Sequence, residues 1–239
     1  MLRYILAYMS GEGDPLEFIT MICVTVFVTL CCLPVHEAAH AWMAEKLGDS
    51  TGRLSGRITL SPFSHLSLMG TIMLVLFGFG YAKPVPVNIR NFKKRKLYMG
   101  ITALAGPVSN LLLAVIFIII GYICALFAPT GPVDAASVVD IAAMFFVNVG
   151  YYNICLAVFN LIPFPPLDGS RILTMFLPDK LYYRLMQYER YFFYALFALL
   201  YIFNRFLPVS PLSAISEVIY DGIGFCIESV MNFIINLFM

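Results

Sequence analysis

The sequence predicts an all-α polytopic membrane protein with about five to six transmembrane helices. Hydrophobic residues make up 61% of the 239 residues and charged residues only 12%, whereas about 25% of a typical soluble domain is charged. Apolar segments long enough to span a bilayer recur along the chain, and the lysines and arginines fall between them. We therefore expect a single membrane-embedded domain over residues 1–239, with a small membrane-associated β-hairpin and a re-entrant segment.

The first long helix is predicted from Leu16 to Leu47, followed by Gly48 as a C-cap. It contains more than the ~20 residues needed to span a bilayer, so its C-terminal end should project into water. Pro34 lies inside this helix and lacks a backbone amide hydrogen. We expect it to remove one hydrogen bond and to bend the helix at this point.

Residues 49–65 contain glycines, a proline and alternating apolar residues, which predict a short β-hairpin or loop over 52–60. The next apolar run, 66–80, is short for a transmembrane helix. A cluster of basic residues then follows, a pattern typical of a cytoplasmic loop beside anionic headgroups and too short for a nucleic-acid interface. The cluster consists of Lys83, Arg90, Lys93, Lys94, Arg95 and Lys96.

Four further transmembrane segments are predicted, at 97–127, 137–162, 191–207 and 212–239. Gly106, Pro107 and Asn110 should break the first of them, either as a packing kink or with the Asn110 amide in a functional role. In the last segment, three acidic residues share one helix face and could line a wet groove or lie outside the bilayer. They are Glu217, Asp221 and Glu228.

Two histidines and a glutamate interrupt the apolar first helix, in the sequence HEAAH at 36–40. His36 and His40 lie one turn apart on the same face, so their imidazoles can bind one metal ion. Glu37 can accept a proton from water, and the H-E-x-x-H pattern is typical of zinc hydrolases. The alternative is a pair of hydrogen-bonded structural histidines. Because ionisable groups in hydrocarbon are usually functional, we favour one zinc ion per chain.

Asp168 is the predicted third zinc ligand. It follows the proline-rich sequence NLIPFPPLDG at 160–169, where unpaired backbone indicates a protein-lined or wet cavity. A catalytic zinc requires three protein ligands and one open position, which His36, His40 and Asp168 supply. Cys32 and His65 are alternative ligands, and Asp168 could also act as the N-cap of the next helix.

Three motifs in this order resemble the site-2 protease family of intramembrane zinc metalloproteases: HEAAH (36–40), AGPVSN (105–110) and NLIPFPPLDG (160–169). The resemblance is strongest to the short bacterial branch without PDZ or CBS domains. It covers a catalytic core of about 16–175 and hardly extends to the C-terminal helices at 190–239, and SHLSLMG (64–70) departs from the family pattern. The resemblance implies zinc ligation by His36, His40 and Asp168, acid/base catalysis by Glu37, and a less defined catalytic role for Asn110.

The function implied is regulated intramembrane proteolysis, in which peptide bonds in or near transmembrane segments are hydrolysed. The expected partners are a transmembrane substrate and the lipid bilayer, and an extended substrate segment could pair with the edge of the 52–60 hairpin. The expected location is the bacterial inner membrane. Two alternatives remain, a membrane-embedded prenyl-protein-type zinc protease and a metal-ion transporter with a His/His/Asp transit site. A transporter would not require Glu37 beside the first ligand.

The proposed zinc site also predicts the topology. The ends of the first helix and of the 137–162 helix must face the same side of the membrane, so the 66–80 segment should be re-entrant or surface-lying. Only Arg3 and Arg205 fall outside the connections that would share this side, which makes it cytoplasmic. Five true crossings, with the N-terminus outside and the C-terminus inside, follow from this arrangement.

Overall fold

The computed structural model describes residues 14–67, 70, 82–127, 138–188, 191–192, 194–196, 198 and 211–238. This part of the chain is mostly helical and contains no sheet, only an antiparallel bridge between Leu66 and Ala82. The α-helices are α1 Pro15–Phe27, α2 Leu33–Lys46, α3 Thr51–Leu54, α4 Pro62–His65, α5 Arg95–Leu126, α6 Val138–Leu161, α7 Asp168–Thr174, α8 Asp179–Gln187 and α9 Pro211–Phe238.

Three helices of the described residues are long and apolar enough to cross a membrane, at Pro15–Lys46, Arg95–Leu126 and Val138–Leu161. Their number is smaller than the five to six predicted, and their length and composition are those of membrane-spanning helices. The predicted re-entrant segment 66–80 and the predicted helix 191–207 lie largely outside the described residues.

The first of these helices consists of α1 and α2, joined by a π-helical turn at Val28–Cys32. The Asp14 carboxylate caps its start by accepting from the Leu16 amide at 3.0 Å. The π-turn lies directly before Pro34, whose missing amide hydrogen bond the wider turn accommodates. At the other end Gly48 has a φ of 108°, which confirms the predicted glycine C-cap.

Helices α5 and α6 pack closely along their length and form the centre of the bundle. A Cβ atom at Gly150 would lie 2.5 Å from the Ile118 side chain, so this glycine permits the close approach. The predicted break at residues 106–110 is wrong, because α5 continues through Pro107 without interruption. An internal proline removes only one backbone hydrogen bond, and packing of the neighbouring helices can offset that loss.

Helix α9 runs parallel to α5 and antiparallel to α6. The Tyr220 ring packs against Tyr151 in the middle of α6, at a centroid distance of 5.7 Å. Two turns later along α9, Glu228 accepts a hydrogen bond of 2.7 Å from Tyr122, near the C-terminal end of α5. The C-terminal end of α9 therefore lies at the same end of the bundle as Leu126. The sequence predicted the C-terminus on the same side of the membrane as the zinc site, whereas this end of α9 lies near Tyr122, at the opposite end of α5 from Gly106. The sequence does not encode which way a helix docks.

The predicted β-hairpin at 52–60 is also wrong, because this stretch forms α3 followed by a turn and irregular chain. The buried Arg57 guanidinium donates to the carbonyl oxygens of Ser64 and Lys83. The His65 Nε2 atom hydrogen-bonds the Thr59 carbonyl at 2.9 Å. A buried cation and a buried imidazole require hydrogen-bond partners. Arg57 and His65 find theirs in carbonyl groups of this region, which take no part in strand pairing. No strand edge for substrate pairing is present in this stretch.

Asp49 joins the end of the first long helix to the chain that precedes α5. Its fully buried carboxylate accepts from the Thr51 amide at 3.1 Å and from the Thr51 hydroxyl. It also accepts from the Asn88 amide and the Asn91 side chain, both at 2.7 Å. Burial by itself raises the pKa of Asp49, but these hydrogen bonds outweigh it and hold the pKa below its ordinary value.

We expect Asp49→Asn to lower the thermal unfolding midpoint of the detergent-solubilised protein at pH 7. A carboxylate whose pKa is lowered by folding contributes stability above its unfolded pKa of about 3.9, and this contribution is lost as the pH falls through the folded pKa. The difference between wild type and variant should therefore shrink on acidification below about pH 4. A difference that stays constant from pH 7 into the acid range would contradict this account of Asp49.

Candidate active site

The two histidines of α2 and the first residue of α7 bring three potential metal ligands together. His36 and His40 are both buried, with their Nε2 atoms 3.0 Å apart. The Asp168 Oδ2 atom lies 3.3 Å from each of these nitrogens. Within the described residues, these side chains form a group whose ligand atoms all lie close enough to share one metal ion.

The geometry of this group fits a zinc ion. Tetrahedral zinc with bonds of about 2.0–2.1 Å separates neighbouring ligand atoms by about 3.3 Å. The three separations, 3.0, 3.3 and 3.3 Å, are close to that value. The Asp168 Oδ2 atom is also buried without a hydrogen-bond partner among the described residues. A buried carboxylate oxygen aimed at two imidazole nitrogens is the arrangement expected for a shared cation.

A backbone carbonyl on α5 orients the second histidine. His40 Nδ1 lies 2.8 Å from the Thr102 carbonyl oxygen, an acceptor that requires the proton to be on Nδ1. The Nε2 lone pair then faces His36 and Asp168. Such an outer hydrogen bond fixes the tautomer and the ring orientation of a metal-binding histidine.

Gly106 allows α5 to approach the two imidazole rings. A Cβ atom at this position would overlap His40 Nε2 and would lie 2.6 Å from the Cε1 atom of His36. The sequence indicated a helix break at this glycine, whereas in the structure α5 is continuous and the glycine leaves room for the two imidazole rings.

Gly106→Ala should therefore displace the histidine rings and weaken zinc binding by about 10- to 100-fold, the range typical of damage to groups that orient metal ligands. The measurement is zinc affinity by chelator competition on purified protein. Gly222→Ala is the matched control, since no atom lies within 4 Å of a Cβ built there. Equal zinc affinity in both variants would contradict the close approach at Gly106.

Asp168 reaches the histidines because the chain leaves α6 in an irregular stretch over 162–167 and then begins α7. Leu167, with extended backbone angles, occupies the N-cap position, so Asp168 lies in the first helical turn. A Cβ atom at Gly169 would overlap the carbonyl group of Leu161. The glycine of the LDG sequence thus packs α7 directly against the end of α6.

The other predicted site residues lie around this group. Glu37 is half-buried beside His36 on α2. Asn110 is fully buried on α5, one turn beyond Gly106, and its amide has no hydrogen-bond partner among the described residues.

The alternative ligands Cys32 and His65 are not part of the group formed by His36, His40 and Asp168. Cys32 accepts from the Asn153 side chain at 3.3 Å, and His65 bonds the Thr59 carbonyl.

Two contributors to the site were not recognised in the sequence. Thr102 acts through its backbone carbonyl, so its side chain carries no signal of this role. Gly106 could have been recognised from its place in the AGPVSN motif, but close approach and helix breaking are both typical of glycine.

Comparison with known proteins finds a peptidase family and relatives that are named as zinc metalloproteases. The family model for peptidase family M50 matches residues 125–203. YwhC of Bacillus subtilis, whose name describes a zinc metalloprotease, is 39% identical over 75% of this chain and 79% of its own. Rip2 of Mycolicibacterium smegmatis, named in the same way, is 28% identical over 69% of this chain and 61% of its own length.

A third relative of the same description, MJ0611 of Methanocaldococcus jannaschii, is 32% identical over 58% of this chain and 62% of its own. The chain thus spans about three fifths of the length of the mycobacterial and archaeal relatives. No solved structure matches it at a significant level. The identity and coverage shared with YwhC, together with the family-model match, establish that the chain belongs to peptidase family M50, the site-2 protease family of intramembrane zinc metalloproteases.

Proposed function

We propose that His36, His40 and Asp168 bind the catalytic zinc ion and that Glu37 is the acid/base of peptide-bond hydrolysis. The observation that carries this proposal is the convergence of three buried ligand atoms from two separate helices on one point. Burial of two imidazoles and a carboxylate in a bundle of apolar helices costs free energy, which a shared cation would offset.

His36, His40 and Asp168 would hold the zinc ion, which would supply Lewis-acid activation of water and of the scissile carbonyl group. Glu37 takes the proton from the attacking water and delivers it to the nitrogen of the leaving amine. The hydrogen bond from His40 Nδ1 to the Thr102 carbonyl orients this ring, so that its Nε2 atom would be available to the metal. Asp168 contributes a negative charge to the site, 3.3 Å from the Nε2 atoms of the two histidines.

Asn110 is a candidate for stabilising the oxyanion that forms on the substrate. Its amide nitrogen is buried, and no described residue accepts from it. It lies one turn from Gly106, which contacts both histidine rings. A buried, unpaired amide donor near the zinc ligands is the type of group that stabilises developing negative charge.

The proposed substrates are transmembrane proteins of the cell membrane, cleaved in or near their spanning segments. The substrate helix must unwind locally, because the carbonyl groups of an intact helix are hydrogen-bonded and shielded. Quantitative proteomics of membrane-protein fragments tests this proposal in cells. Fragments cut within or beside spanning segments should be present with the wild type and absent with Glu37→Gln. An unchanged fragment set would contradict the proposed function.

We further propose that the active site faces the cytoplasm and that the N-terminus lies on the opposite side. Leu66 and Ala82 form a bridge, and the Lys83 amide donates to the His65 carbonyl at 2.6 Å. Residues 66 and 82 therefore lie side by side, at the same level of the bundle. This supports an even number of crossings, or none, between these residues. The direction of α9 supports four crossings with an outside C-terminus, in place of the five expected from the sequence.

Cysteine accessibility in intact cells tests this topology. In a background without the six native cysteines, Ser55→Cys and Asn91→Cys should both resist an impermeant thiol reagent, because both positions lie on the cytoplasmic side. Met239→Cys should react with it. Labelling of only one of the first two would require a crossing between them, and protection of the third would contradict an outside C-terminus.

A further inference from the structure

The first three turns of α5 contact both halves of the proposed zinc site. Thr102 and Gly106 contact the histidine helix, as described above. Lys96 and Gly100 precede them on α5 and contact the chain that follows Asp168. One continuous helix thus spans the distance between the two histidines and the third ligand, which come from separate parts of the sequence.

Lys96 differs from the exposed basic residues beside it. Lys93, Lys94 and Arg95 are exposed, whereas Lys96 is half-buried and its ammonium group donates to the Leu177 carbonyl oxygen at 2.7 Å. A cation at a helix N-terminus is unfavourable, but a cation at a helix C-terminus is favourable. Lys96 belongs to the start of α5 and reaches the carbonyl end of the α7 region, where its charge is stabilising.

The bond from Lys96 acts on a rigid unit. Helix α7 is followed directly by two hydrogen-bonded turns. The Met175 amide donates to the Ile172 carbonyl, and the Phe176 amide donates to the Leu173 carbonyl, both at 3.1 Å. Asp168 and Leu177 are therefore the two ends of one hydrogen-bonded segment. A constraint on the Leu177 end limits how far the Asp168 end can tilt away from the histidines.

Gly100 makes the second contact with this segment. A Cβ atom at Gly100 would overlap the Met175 side chain, so the glycine allows Met175 to pack directly against α5. This apolar contact lies one turn along α5 from the Lys96 bond. Together they hold the α7 segment by a polar and an apolar contact on the same helix.

We propose that Lys96 is a positioning residue for the zinc site: its bond to the Leu177 carbonyl, supported by Met175 packed on Gly100, holds Asp168 against His36 and His40. This inference rests on the proposed function, because it assigns Lys96 to the support of the third zinc ligand. Lys96 acts through the α7 segment, by its bond to the Leu177 carbonyl.

Zinc affinity of purified variants tests the proposal. Lys96→Ala should weaken zinc binding about 10-fold, at the lower end of the range for groups that support metal ligands. Lys96→Arg keeps a charged donor and should restore most of the affinity. Lys94→Ala removes an equal charge from an exposed neighbour and should bind zinc like the wild type. Equal weakening by Lys94→Ala and Lys96→Ala, or no weakening by Lys96→Ala, would overturn the proposal.

Hydrogen exchange of the zinc-free proteins gives a second readout that does not depend on the metal. Amides of residues 168–177 should exchange faster in Lys96→Ala than in Lys94→Ala, while α6 remains unchanged. Equal exchange over 168–177 in the two variants would overturn the proposal. If the wild type binds no zinc, the proposed function fails, and the exchange comparison still decides whether Lys96 holds this segment.

A paired substitution examines the second contact. Gly100→Leu should displace Met175 and weaken zinc binding, and the double variant Gly100→Leu with Met175→Ala should recover part of the loss because the smaller side chain leaves room. Recovery supports the contribution of the Gly100 contact. A double variant that binds zinc no better than Gly100→Leu contradicts it.

Discussion

Replacement of Glu37 by glutamine is expected to leave zinc bound while cleavage falls by about 10²- to 10⁴-fold, the usual contribution of a general base. The substitution preserves the size of the side chain and all three proposed ligands. It removes only the carboxylate that accepts the proton from water. Zinc content and the rate of cleavage of a transmembrane peptide, measured on the same purified sample, give the two results together.

The Glu45→Gln variant is a matched control for this prediction. Glu45 lies on the same helix, in an ion pair of 2.7 Å with the exposed Arg53, and a pair that is open to solvent on one side contributes little to stability. Its loss should leave cleavage near the wild-type rate. Near wild-type cleavage by Glu37→Gln would instead remove Glu37 from the mechanism, and loss of zinc from that variant would indicate a role in metal binding.

Replacement of Asp168 by alanine should have the largest effect on the metal. It removes one of the three proposed protein ligands and leaves two imidazoles, so zinc affinity should fall by more than the 10- to 100-fold typical of outer groups. Cleavage should be lost together with the zinc. Metal analysis after dialysis against a weak chelator measures the occupancy.

The Cys32→Ala variant tests whether Cys32, and not Asp168, is the third zinc ligand. The thiol lies one turn before His36 on the same helix, but it is hydrogen-bonded to Asn153 and lies outside the ligand group. The variant should therefore retain nearly full zinc occupancy. Loss of zinc from Cys32→Ala, with retention by Asp168→Ala, would exchange the two assignments.

The grouping of His36, His40 and Asp168 could be predicted from the sequence because each part of it has a local signature. The spacing of His36 and His40 fixes one helix face, and the sequence around Asp168 combines helix-breaking prolines with a single carboxylate. The meeting of the two elements at separations of 3.3 Å required the tertiary structure. The supporting contacts at Thr102 and Lys96 involve backbone carbonyls as acceptors, and a sequence does not mark which carbonyl is used.

The incorrect predictions share a different physical origin. Residues 52–60 alternate in polarity as a strand does, but Arg57 in this stretch donates to the carbonyls of Ser64 and Lys83, and the Thr59 carbonyl is bonded by His65. These side-chain contacts take the place of strand pairing. Pro107 would break an isolated helix, yet α5 is held on both sides by neighbouring elements. The direction of α9 depends on which of its faces fits α5 and α6, and the apolar pattern of the helix is compatible with either direction.

Purified protein reconstituted in liposomes with a transmembrane peptide substrate provides the most direct test of the central claim, that this His/His/Asp site hydrolyses peptide bonds in the membrane. Cleavage products and zinc flux are measured in the same vesicles. The account predicts products cut in or near the spanning segment, their loss on zinc removal and recovery on zinc addition, with no zinc flux. Zinc flux without any cleavage would contradict it and would identify the site as a transit site.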